Sequence, residues 1–461
     1  MLFNVPGDKS ISHRAIILSA IADRVTFISN LLCSTDIFAL IDIMRALGVR
    51  IDLDIEKKQC RVFGVGLHGL KAPQKPLNCG NSGTSMRLLC GLLCAQPFDS
   101  TLIGDASLSK RPMLRVAIPL RLMGANIRLS ENNTTPIEIN ATSFKALKAT
   151  GCARAERQGS HWGMGDASTS TSWRPRFETC SLKAITYDMP VASAQVKSAI
   201  LIAGLYAEGE TIVREAVKTR DHTERMLKIP PDPPFSKGGE FKCPPFFSSL
   251  PSPLKKGDFA CTIPNDISSA AFFIVLAAIT PGSDILLRDI GINPFRTGVI
   301  DILKLMGANI DILNEKTCGF EPVADIRVRY APLQGIDIPE SLIVNAIDEF
   351  PAIFVAAVTA KGNTIVRNAH ELRVKESDRL QAMAAGFESI GVKTELLADG
   401  IKIFGNQIVQ GGRVSSCGDH RIAMAFAIAN KIAKNPVLID DADVVKTSFP
   451  DFFELLSCCI V

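Results

Sequence analysis

One pattern of hydrophobic and polar positions recurs along the chain. Each copy begins with a polar helix-start signal and continues through an apolar helix, a strand and a second helix. It ends at a glycine before another strand, about 40 residues after its start. Four copies run from Asp8 to Gly48, from Ser82 to Gly124, from Asp266 to Gly307 and from Asp348 to Gly391. The regularity predicts one supersecondary unit used repeatedly, and it aligns several helix N-termini, which bind anions.

Two further copies begin at Ser193 and Gly418 and are incomplete, which gives six. Two stretches interrupt the pattern. Residues 151–176 contain both tryptophans, and residues 229–258 are dense in Pro, Gly, Ser and Lys. Because proline removes backbone donors and disfavours helix before it, we expect no regular structure in either stretch. We favour tolerated surface insertions over evolved lids, although the second stretch could replace the normal end of its repeat.

Composition and charge narrow the class of protein. A length of 461 residues with 47% hydrophobic residues predicts an α/β protein with two cores. The net charge of +4 carries no polyanion-binding signature, so we expect no nucleic-acid partner. The apolar stretches are too short to span a bilayer, and 13 scattered cysteines without a C-x-x-C pair indicate buried thiols in a reducing compartment. We therefore expect a cytoplasmic protein without a membrane or metal partner.

Candidate chemistry in the N-terminal half lies at the starts of the repeats. Lys9, Ser10 and Arg14 at the first helix start combine a cation, a hydroxyl and free backbone N–H groups, which make an anion cradle. An ordinary capped helix with solvated charges is an equally good interpretation of these residues alone. Later openings offer Asn81, Gly83 and Thr84, and then Ser193 and Gln195. Arg111 and Arg220 lie downstream of these openings, each near the start of another helix.

The C-terminal half has different chemistry. Asp348 places a carboxylate before an apolar helix, and Lys375 and Arg379 lie one helical turn apart. Glu376 could be a general acid if its pKa is raised. The alternative is a solvated, salt-bridged helix start. Arg421 repeats the pattern in the last copy, and Lys446 lies near the end of the chain.

The chain resembles the 5-enolpyruvylshikimate-3-phosphate synthase family, the 3-phosphoshikimate 1-carboxyvinyltransferases. The blocks PGDKSISHR, GNSGTSMR, SKRPM, ASAQVKSA, RDHTERM, RVKESDR and GDHRIAM are similar to those of that family and occur in its order. The resemblance implies two pseudo-symmetric α/β (α+β) domains, each of three βαβαββ units, with the active site in the cleft between them. It also implies a cytoplasmic monomer that uses shikimate 3-phosphate and phosphoenolpyruvate, without metal or organic cofactor, in aromatic amino acid biosynthesis.

The resemblance also implies a role for each candidate residue. Lys9, Ser10, Arg14, Ser193 and Gln195, with Arg220, would hold shikimate 3-phosphate, and Lys9 would also touch phosphoenolpyruvate. The residues that would bind phosphoenolpyruvate are Asn81, Gly83, Thr84, Arg111, Arg379, Arg421 and Lys446. Asp348 would accept the proton of the shikimate 5-hydroxyl with Lys375 beside it, and Glu376 would protonate the methylene carbon. Because Gly83 is kept, we predict inhibition by glyphosate in competition with phosphoenolpyruvate.

The domain boundaries expected from these features are 7–228 for the first domain and 262–461 for the second. Residues 229–261 would form the Pro/Gly-rich insertion and crossover, and residues 1–6 would pair at that crossover. Two alternatives differ in function. One is the sister enolpyruvyl transferase that acts on a UDP-amino sugar, which the serine after Lys9 disfavours because that enzyme has asparagine there. The other is a disrupted descendant without activity, suggested by the proline-rich break after Lys228.

Overall fold

The computed structural model describes residues 2–141, 144–145, 179–180, 182–228, 231–232, 239–243 and 259–459. The predicted insertion at 151–176 lies outside the described residues. The α-helices are α1 (Lys9–Ala20), α2 (Thr35–Ala46), α3 (Gly83–Leu93), α4 (Leu114–Leu122), α5 (Ala194–Gly204), α6 (His222–Leu227), α7 (Ile267–Ile279), α8 (Gly298–Leu305), α9 (Glu340–Ile343), α10 (Phe350–Thr359), α11 (Arg379–Ser389), α12 (His420–Asn430) and α13 (Phe452–Cys458). Short 3-10 helices lie at Leu108–Lys110, Val344–Ala346, His370–Val374 and Ala442–Thr447.

The strands of the first half are β1 (Leu2–Phe3), β2 (Val25–Ser29), β3 (Arg50–Asp54), β4 (Gln59–Phe63), β5 (Leu77–Asn78), β6 (Ser100–Ile103), β7 (Asn126–Arg128), β8 (Ile137–Asn140), β9 (Phe144–Lys145), β10 (Thr179–Cys180), β11 (Thr186–Met189), β12 (Thr211–Glu215), β13 (Pro231–Asp232) and β14 (Gly239–Cys243). Those that follow are β15 (Phe259–Thr262), β16 (Asp284–Gly291), β17 (Asn309–Cys318), β18 (Glu321–Arg329), β19 (Thr364–Val366), β20 (Thr394–Leu396), β21 (Ile401–Ile403), β22 (Gly412–Ser415) and β23 (Val437–Asp440).

Six sheets correspond to the six copies of the repeat. Four have the same strand order, which is β15-β2-β4-β3, β5-β6-β8-β7, β11-β12-β14-β13 and β1-β16-β18-β17. In each, the first pair is parallel and the other pairs are antiparallel, as a βαβαββ unit requires. The fifth and sixth units form the smaller sheets β19-β21-β20 and β22-β23. The prediction of an α/β fold built from repeated units is therefore confirmed.

The chain crosses between its two halves at two adjacent places. Strand β1, at the N-terminus, pairs with β16 of the fourth unit, whereas β15 pairs with β2 of the first unit. The crossing segments bond to each other: the Asp8 amide donates to the Pro264 carbonyl (2.8 Å) and the Asp266 amide donates to the Pro6 carbonyl (2.9 Å). Each half therefore completes a sheet with a strand that lies far away in the sequence.

The expectation that residues 229–258 hold no regular structure is wrong for two segments of that stretch. Strands β13 and β14 lie within it and complete the sheet of the third unit. Phe241 and Cys243 are buried and alternate with Lys242, which is the period-two pattern of a strand with one face on the core. Pro231 is tolerated because β13 is the edge strand.

The predicted helix stops are confirmed in detail. At the end of α2, Gly48 has φ 86°, its amide donates to the Arg45 carbonyl (2.9 Å), and the Val49 amide donates to the Met44 carbonyl (3.0 Å). This pair of bonds is the Schellman motif, which requires a left-handed residue and favours glycine. The same arrangement ends the second helix of three other units, at Gly124, Gly307 and Gly391.

The hydrophobic residues form two separate cores. One contains side chains from Ile11 to Ile263, and the other contains Phe3, Val5 and side chains from Ile267 to Cys459. The first helix of each unit is almost wholly buried in its core; every residue of α7 is buried, for example. Within the described residues, no helix is both long and apolar enough to cross a membrane.

Candidate active site

A cleft lies between the two cores. Fourteen of the residues predicted for the site line it, and they come from both halves: Lys9, Ser10, Asn81, Gly83, Thr84, Arg111, Ser193, Gln195, Arg220, Asp348, Lys375, Glu376, Arg379 and Arg421. The sequence therefore predicted a set of side chains that the fold brings together from positions hundreds of residues apart.

Helix caps explain how most of these side chains reach the cleft. Asp8, Ser82, Ser193 and Asp419 each cap the first helix of a unit by accepting a hydrogen bond from a backbone N–H group. The residues next to each cap then lie at the N-terminal end of a helix that faces the cleft. The fifth unit differs, because its helix begins one residue later and Asp348 makes no capping bond.

The carboxylate of Asp348, which caps no helix, is surrounded by cations. Arg220 of the first half forms an ion pair with it, and Lys375 Nζ (3.3 Å) and Arg379 Nη1 (3.2 Å) contact it from the second half. Arg421 donates to its backbone carbonyl (2.7 Å). Burial alone would raise the pKa of Asp348, but Lys375, Arg220, Arg421 and Arg379 together hold that pKa well below its usual range.

Glu376 is clamped between arginines of the two halves. Arg111 Nη1 lies 3.1 Å from one carboxylate oxygen, and Arg379 Nη2 lies 2.7 Å from the other. Burial raises the pKa of Glu376, but Arg379, Arg111 and then His420 lower it by more, so the net pKa is well below normal. The condition set for a general acid, a raised pKa, is therefore not met in this arrangement, because two guanidinium groups stabilise the charged form.

A ladder of hydrogen bonds joins the second and third units. Gln195 Nε2 donates to Thr84 Oγ1 (2.8 Å), and Arg87 Nη1 donates to Gln195 Oε1 (2.6 Å). Arg111 Nη2 donates to the Asn81 side chain. The side-chain oxygen and nitrogen of Gln195 are thus both held by hydrogen bonds. The guanidinium groups of Arg87 and Arg111 converge beside Gly83.

Lys9 joins the halves at the other side of the cleft. Its Nζ lies 2.6 Å from Asp36 Oδ2 and donates to the Thr447 carbonyl (3.4 Å). Asp36 is buried, so it holds the ammonium group at the cleft wall.

Two predicted residues do not line the cleft. Arg14 is buried behind it and donates to the Ser10 carbonyl (3.0 Å), Ser198 Oγ (2.7 Å) and Thr223 Oγ1 (2.8 Å). Its guanidinium group therefore supports the cleft wall. Lys446 is 64% exposed and pairs with Asp443 (2.7 Å), although the next residue along the chain, Thr447, lines the cleft.

Several cleft residues were not assigned a role from the sequence: Asp36, Arg87, Arg115, Asp266, Arg296, Glu371 and His420. Arg296 lies between Asp8 and Asp266, which cap α1 and α7; it forms an ion pair with Asp8 and lies 3.0 Å from Asp266. Burial and then the neighbouring Asp8 raise the pKa of Asp266 to about 6. Of these, Arg87 and His420 carried a usable signal because both fall within quoted blocks at repeat openings, and Asp266 did because it begins the fourth copy of the repeat.

Comparison with known proteins shows the family of the chain. The family model for EPSP synthase (3-phosphoshikimate 1-carboxyvinyltransferase) matches residues 2–153 and 171–456. The chain belongs to this family. It is 50% identical over 451 residues to a 3-phosphoshikimate 1-carboxyvinyltransferase of Alkalilimnicola ehrlichii, covering 98% of this chain and 91% of that protein. A relative of the same name from Methylococcus capsulatus is also 50% identical, over 98% of this chain and 93% of that protein.

Solved structures of EPSP synthases and related enzymes have the same fold. An EPSP synthase from Acinetobacter baumannii is 44% identical, with a TM-score of 0.78 over 99% of this chain and 95% of that chain. The enolpyruvyl transferase NikO from Streptomyces tendae, at 14% identity and a TM-score of 0.69 over 99% of this chain and 94% of that chain, shares the fold alone. The family match omits residues 154–170, within the first predicted insertion, but includes the second.

Proposed function

We propose that this chain transfers the enolpyruvyl group of phosphoenolpyruvate to the 5-hydroxyl of shikimate 3-phosphate and releases phosphate, a step of the shikimate pathway to aromatic amino acids. The observation that carries the proposal is the convergence of cations from both halves on Asp348 and Glu376. Two substrates that each carry a phosphate and a carboxylate need such a set of cations.

Shikimate 3-phosphate binds mainly to the first half in this proposal. Ser10, Ser193 and Gln195 supply hydrogen-bond donors at the starts of α1 and α5, and Arg220 and Lys9 supply charge. Helix N-termini and hydroxyl groups suit a phosphate, which accepts several hydrogen bonds at once. Arg14 acts from behind the cleft wall, through the Ser10 carbonyl.

Phosphoenolpyruvate binds between Arg111 of the first half and Arg379 and Arg421 of the second. Asn81, Gly83 and Thr84 lie beside Arg111, and the absent side chain of Gly83 leaves room for a ligand near the guanidinium groups. Because the cations come from both halves, a bound anion would favour the closed arrangement over an open one.

The reaction uses side chains of the chain itself. Asp348 accepts the proton of the 5-hydroxyl as that oxygen bonds to C2 of phosphoenolpyruvate, while Glu376 supplies a proton to C3. The tetrahedral intermediate then breaks its C2–O(phosphate) bond and returns a proton from C3 to the Glu376 carboxylate, which restores the double bond and releases phosphate. Lys375, Arg379 and Arg421 stabilise the charge on the departing phosphate.

The protonation of Glu376 follows from competition for its cations. The substrate's phosphate and carboxylate groups take Arg111 and Arg379 as partners, so Glu376 loses the charges that lower its pKa. Burial, which raises the pKa of a carboxyl group, then dominates. Substrate binding itself would thus convert Glu376 to the acid that the reaction needs.

A phosphate-release assay on the purified protein tests the proposal. We expect release with phosphoenolpyruvate and shikimate 3-phosphate, and none when a UDP-amino sugar replaces the acceptor. Glu376→Gln should lower kcat by about a hundredfold or more, because it removes a proton donor while keeping the shape. Release with the UDP-amino sugar alone would favour the sister transferase, and no release from well-folded protein would favour the inactive descendant.

The domain boundaries and the monomeric state are also proposals. Residues 7–228 supply most of one core and residues 262–461 most of the other, with the crossover in 229–261. Strand β15 at 259–262 pairs in the sheet of the first unit, so it belongs structurally with the first domain. Sedimentation of the purified chain would test whether it is a monomer.

A further inference from the structure

Arg220 lies in a connecting segment without regular structure. The segment spans 216–221, between the end of β12 and the start of α6. Yet the Arg220 guanidinium group reaches across the cleft and forms an ion pair with Asp348. A long side chain on an irregular loop keeps such a position only if the loop is fixed by other contacts.

Glu215, the last residue of β12, closes this loop. Its Oε1 accepts a hydrogen bond from the Thr219 amide (3.0 Å), and its Oε2 accepts one from Thr219 Oγ1 (2.7 Å). Both residues are buried. These two hydrogen bonds, the Glu215–Thr219 clasp, therefore fix the residue that directly precedes Arg220.

Lys197 of helix α5 stabilises the Glu215–Thr219 clasp by bonding to both residues. Its Nζ donates to Glu215 Oε1 (2.8 Å) and to the Thr219 carbonyl (3.4 Å), and it lies 2.7 Å from Glu224 Oε1. Glu224 belongs to α6, on the other side of Arg220. One ammonium group thus ties together the strand, the loop and the helix that flank Arg220, and its side chain is fully buried.

We propose that Lys197 and Glu215 are positioning residues for the reaction: they hold the 216–221 segment so that Arg220 reaches the cleft and the phosphorylated acceptor. The inference rests on the proposed function, because it assigns to Arg220 the binding of shikimate 3-phosphate. Neither Lys197 nor Glu215 lines the cleft, so both act through Thr219 and Arg220.

Stabilisation of the core does not by itself account for a lysine at this position. The other buried residues of α5 are apolar or small, and the Lys197 ammonium group lies 4.2 Å from the centre of the Phe241 ring, where an apolar side chain would also pack. Buried ion pairs often give no more stability than well-packed apolar residues of similar volume. What an apolar residue could not supply is the donor to Glu215 and to the Thr219 carbonyl.

The charges of Lys197, Glu215 and Glu224 are consistent with this role. Burial lowers the pKa of Lys197, but Glu224 and Glu215 raise it to a net value above normal, so the ammonium group stays charged. Burial raises the pKa of Glu224, and Lys197 only partly compensates. Lys197 therefore stays protonated throughout the neutral pH range, and it keeps its hydrogen bonds to Glu215 and Thr219.

Steady-state kinetics of Lys197→Met test the inference. Methionine keeps most of the length and the unbranched shape of lysine but removes the donors. We expect the KM for shikimate 3-phosphate to rise about tenfold, with kcat and the KM for phosphoenolpyruvate changed less than about twofold. Thr219→Val, which removes only the hydroxyl donor to Glu215, should raise the same KM severalfold, and it carries the test if Lys197→Met does not fold.

A double-mutant cycle separates positioning from general destabilisation. In an Arg220→Ala background, Lys197→Met should raise the KM for shikimate 3-phosphate no further, since no guanidinium group remains to be positioned. The matched control is Leu201→Ala, a buried change on the same helix that should lower Tm without changing this KM.

Three results would overturn the proposal: an unchanged KM in Lys197→Met, the same added rise with or without Arg220, or an equal rise in Leu201→Ala. Failure of the proposed function would be seen separately, because the unmodified protein would then release no phosphate with these two substrates.

Discussion

Arg220 and Asp348 form an ion pair across the cleft, one from each half of the chain. The residues are 128 positions apart in the sequence, and they lie on halves of the chain whose hydrophobic cores are separate. Asp348 is thereby held as a carboxylate, and Arg220 is held where a phosphorylated substrate would meet it. The proposed base and a proposed substrate-binding cation are thus ion-pair partners in the folded chain.

Replacing Asp348 with asparagine should abolish most of the activity. The amide keeps the size but cannot accept the hydroxyl proton, so we expect kcat to fall by about 10²–10⁴-fold in the phosphate-release assay. Asp42→Asn, at an exposed carboxylate on α2, is the matched control and should be fully active. Retention of more than a tenth of kcat in Asp348→Asn would rule out Asp348 as the base.

Alanine at Gly83 should weaken phosphoenolpyruvate binding and relieve inhibition by glyphosate. An added Cβ would lie 3.0 Å from Nη1 of both Arg87 and Arg111, so the two guanidinium groups must shift. We expect the KM for phosphoenolpyruvate to rise severalfold. Glyphosate should compete with phosphoenolpyruvate in the unmodified protein and inhibit Gly83→Ala far less. Unchanged activity of the unmodified protein with glyphosate present would contradict this prediction.

A change at Lys446 tests whether the 3-10 helix Ala442–Thr447 moves when substrate binds. Lys446 points to solvent and pairs with Asp443, yet its neighbour Thr447 accepts a hydrogen bond from Lys9 in the cleft. If Lys446 joins the phosphoenolpyruvate site when substrate binds, Lys446→Ala should raise the KM for phosphoenolpyruvate about tenfold. Lys57→Ala, an exposed lysine also paired with an aspartate at i−3, is the control. Identical kinetics of the two variants would place Lys446 outside the site.

Acid should destabilise the protein through His13. Burial lowers the pKa of His13 from 6.5 to about 4, although the hydrogen bond with the Lys9 carbonyl (2.7 Å) acts in the opposite direction. The other ring nitrogen lies 3.0 Å from Ser82 Oγ. As the pH falls from 6.5 towards 4, His13 therefore binds a proton in the unfolded chain before it does so in the folded protein. This difference lowers the free energy of unfolding by about 3 kcal/mol over that range.

Denaturant unfolding at several pH values between 4 and 7 measures the effect. His13→Gln keeps hydrogen-bonding groups but does not titrate, so its free energy of unfolding should fall less steeply with acid than that of the unmodified protein. Parallel curves for the two proteins over this range would show that His13 does not titrate as expected.

Local features of the structure could be predicted where the signal lies in neighbouring residues. The capping side chain of Asp8 and the left-handed glycine at Gly48 both act within one helical turn, so the sequence shows where the helices begin and end. The strand at β14 was missed because nearby prolines and glycines outweighed a short alternation ending at Phe241 and Cys243, and burial against the third unit decided its conformation.

The sequence by itself determined the repeated unit, the caps and fourteen of the residues that line the cleft, because each depends on short spacing or on a family block. Only the tertiary structure decided which charges meet. It paired β1 with β16 and β15 with β2, brought Arg111 to Glu376 and left Lys446 in solvent. The physical reason is that a pKa depends on charges within a few ångströms, and the partners of Glu376 lie on both sides of a cleft that exists only after the two halves have folded.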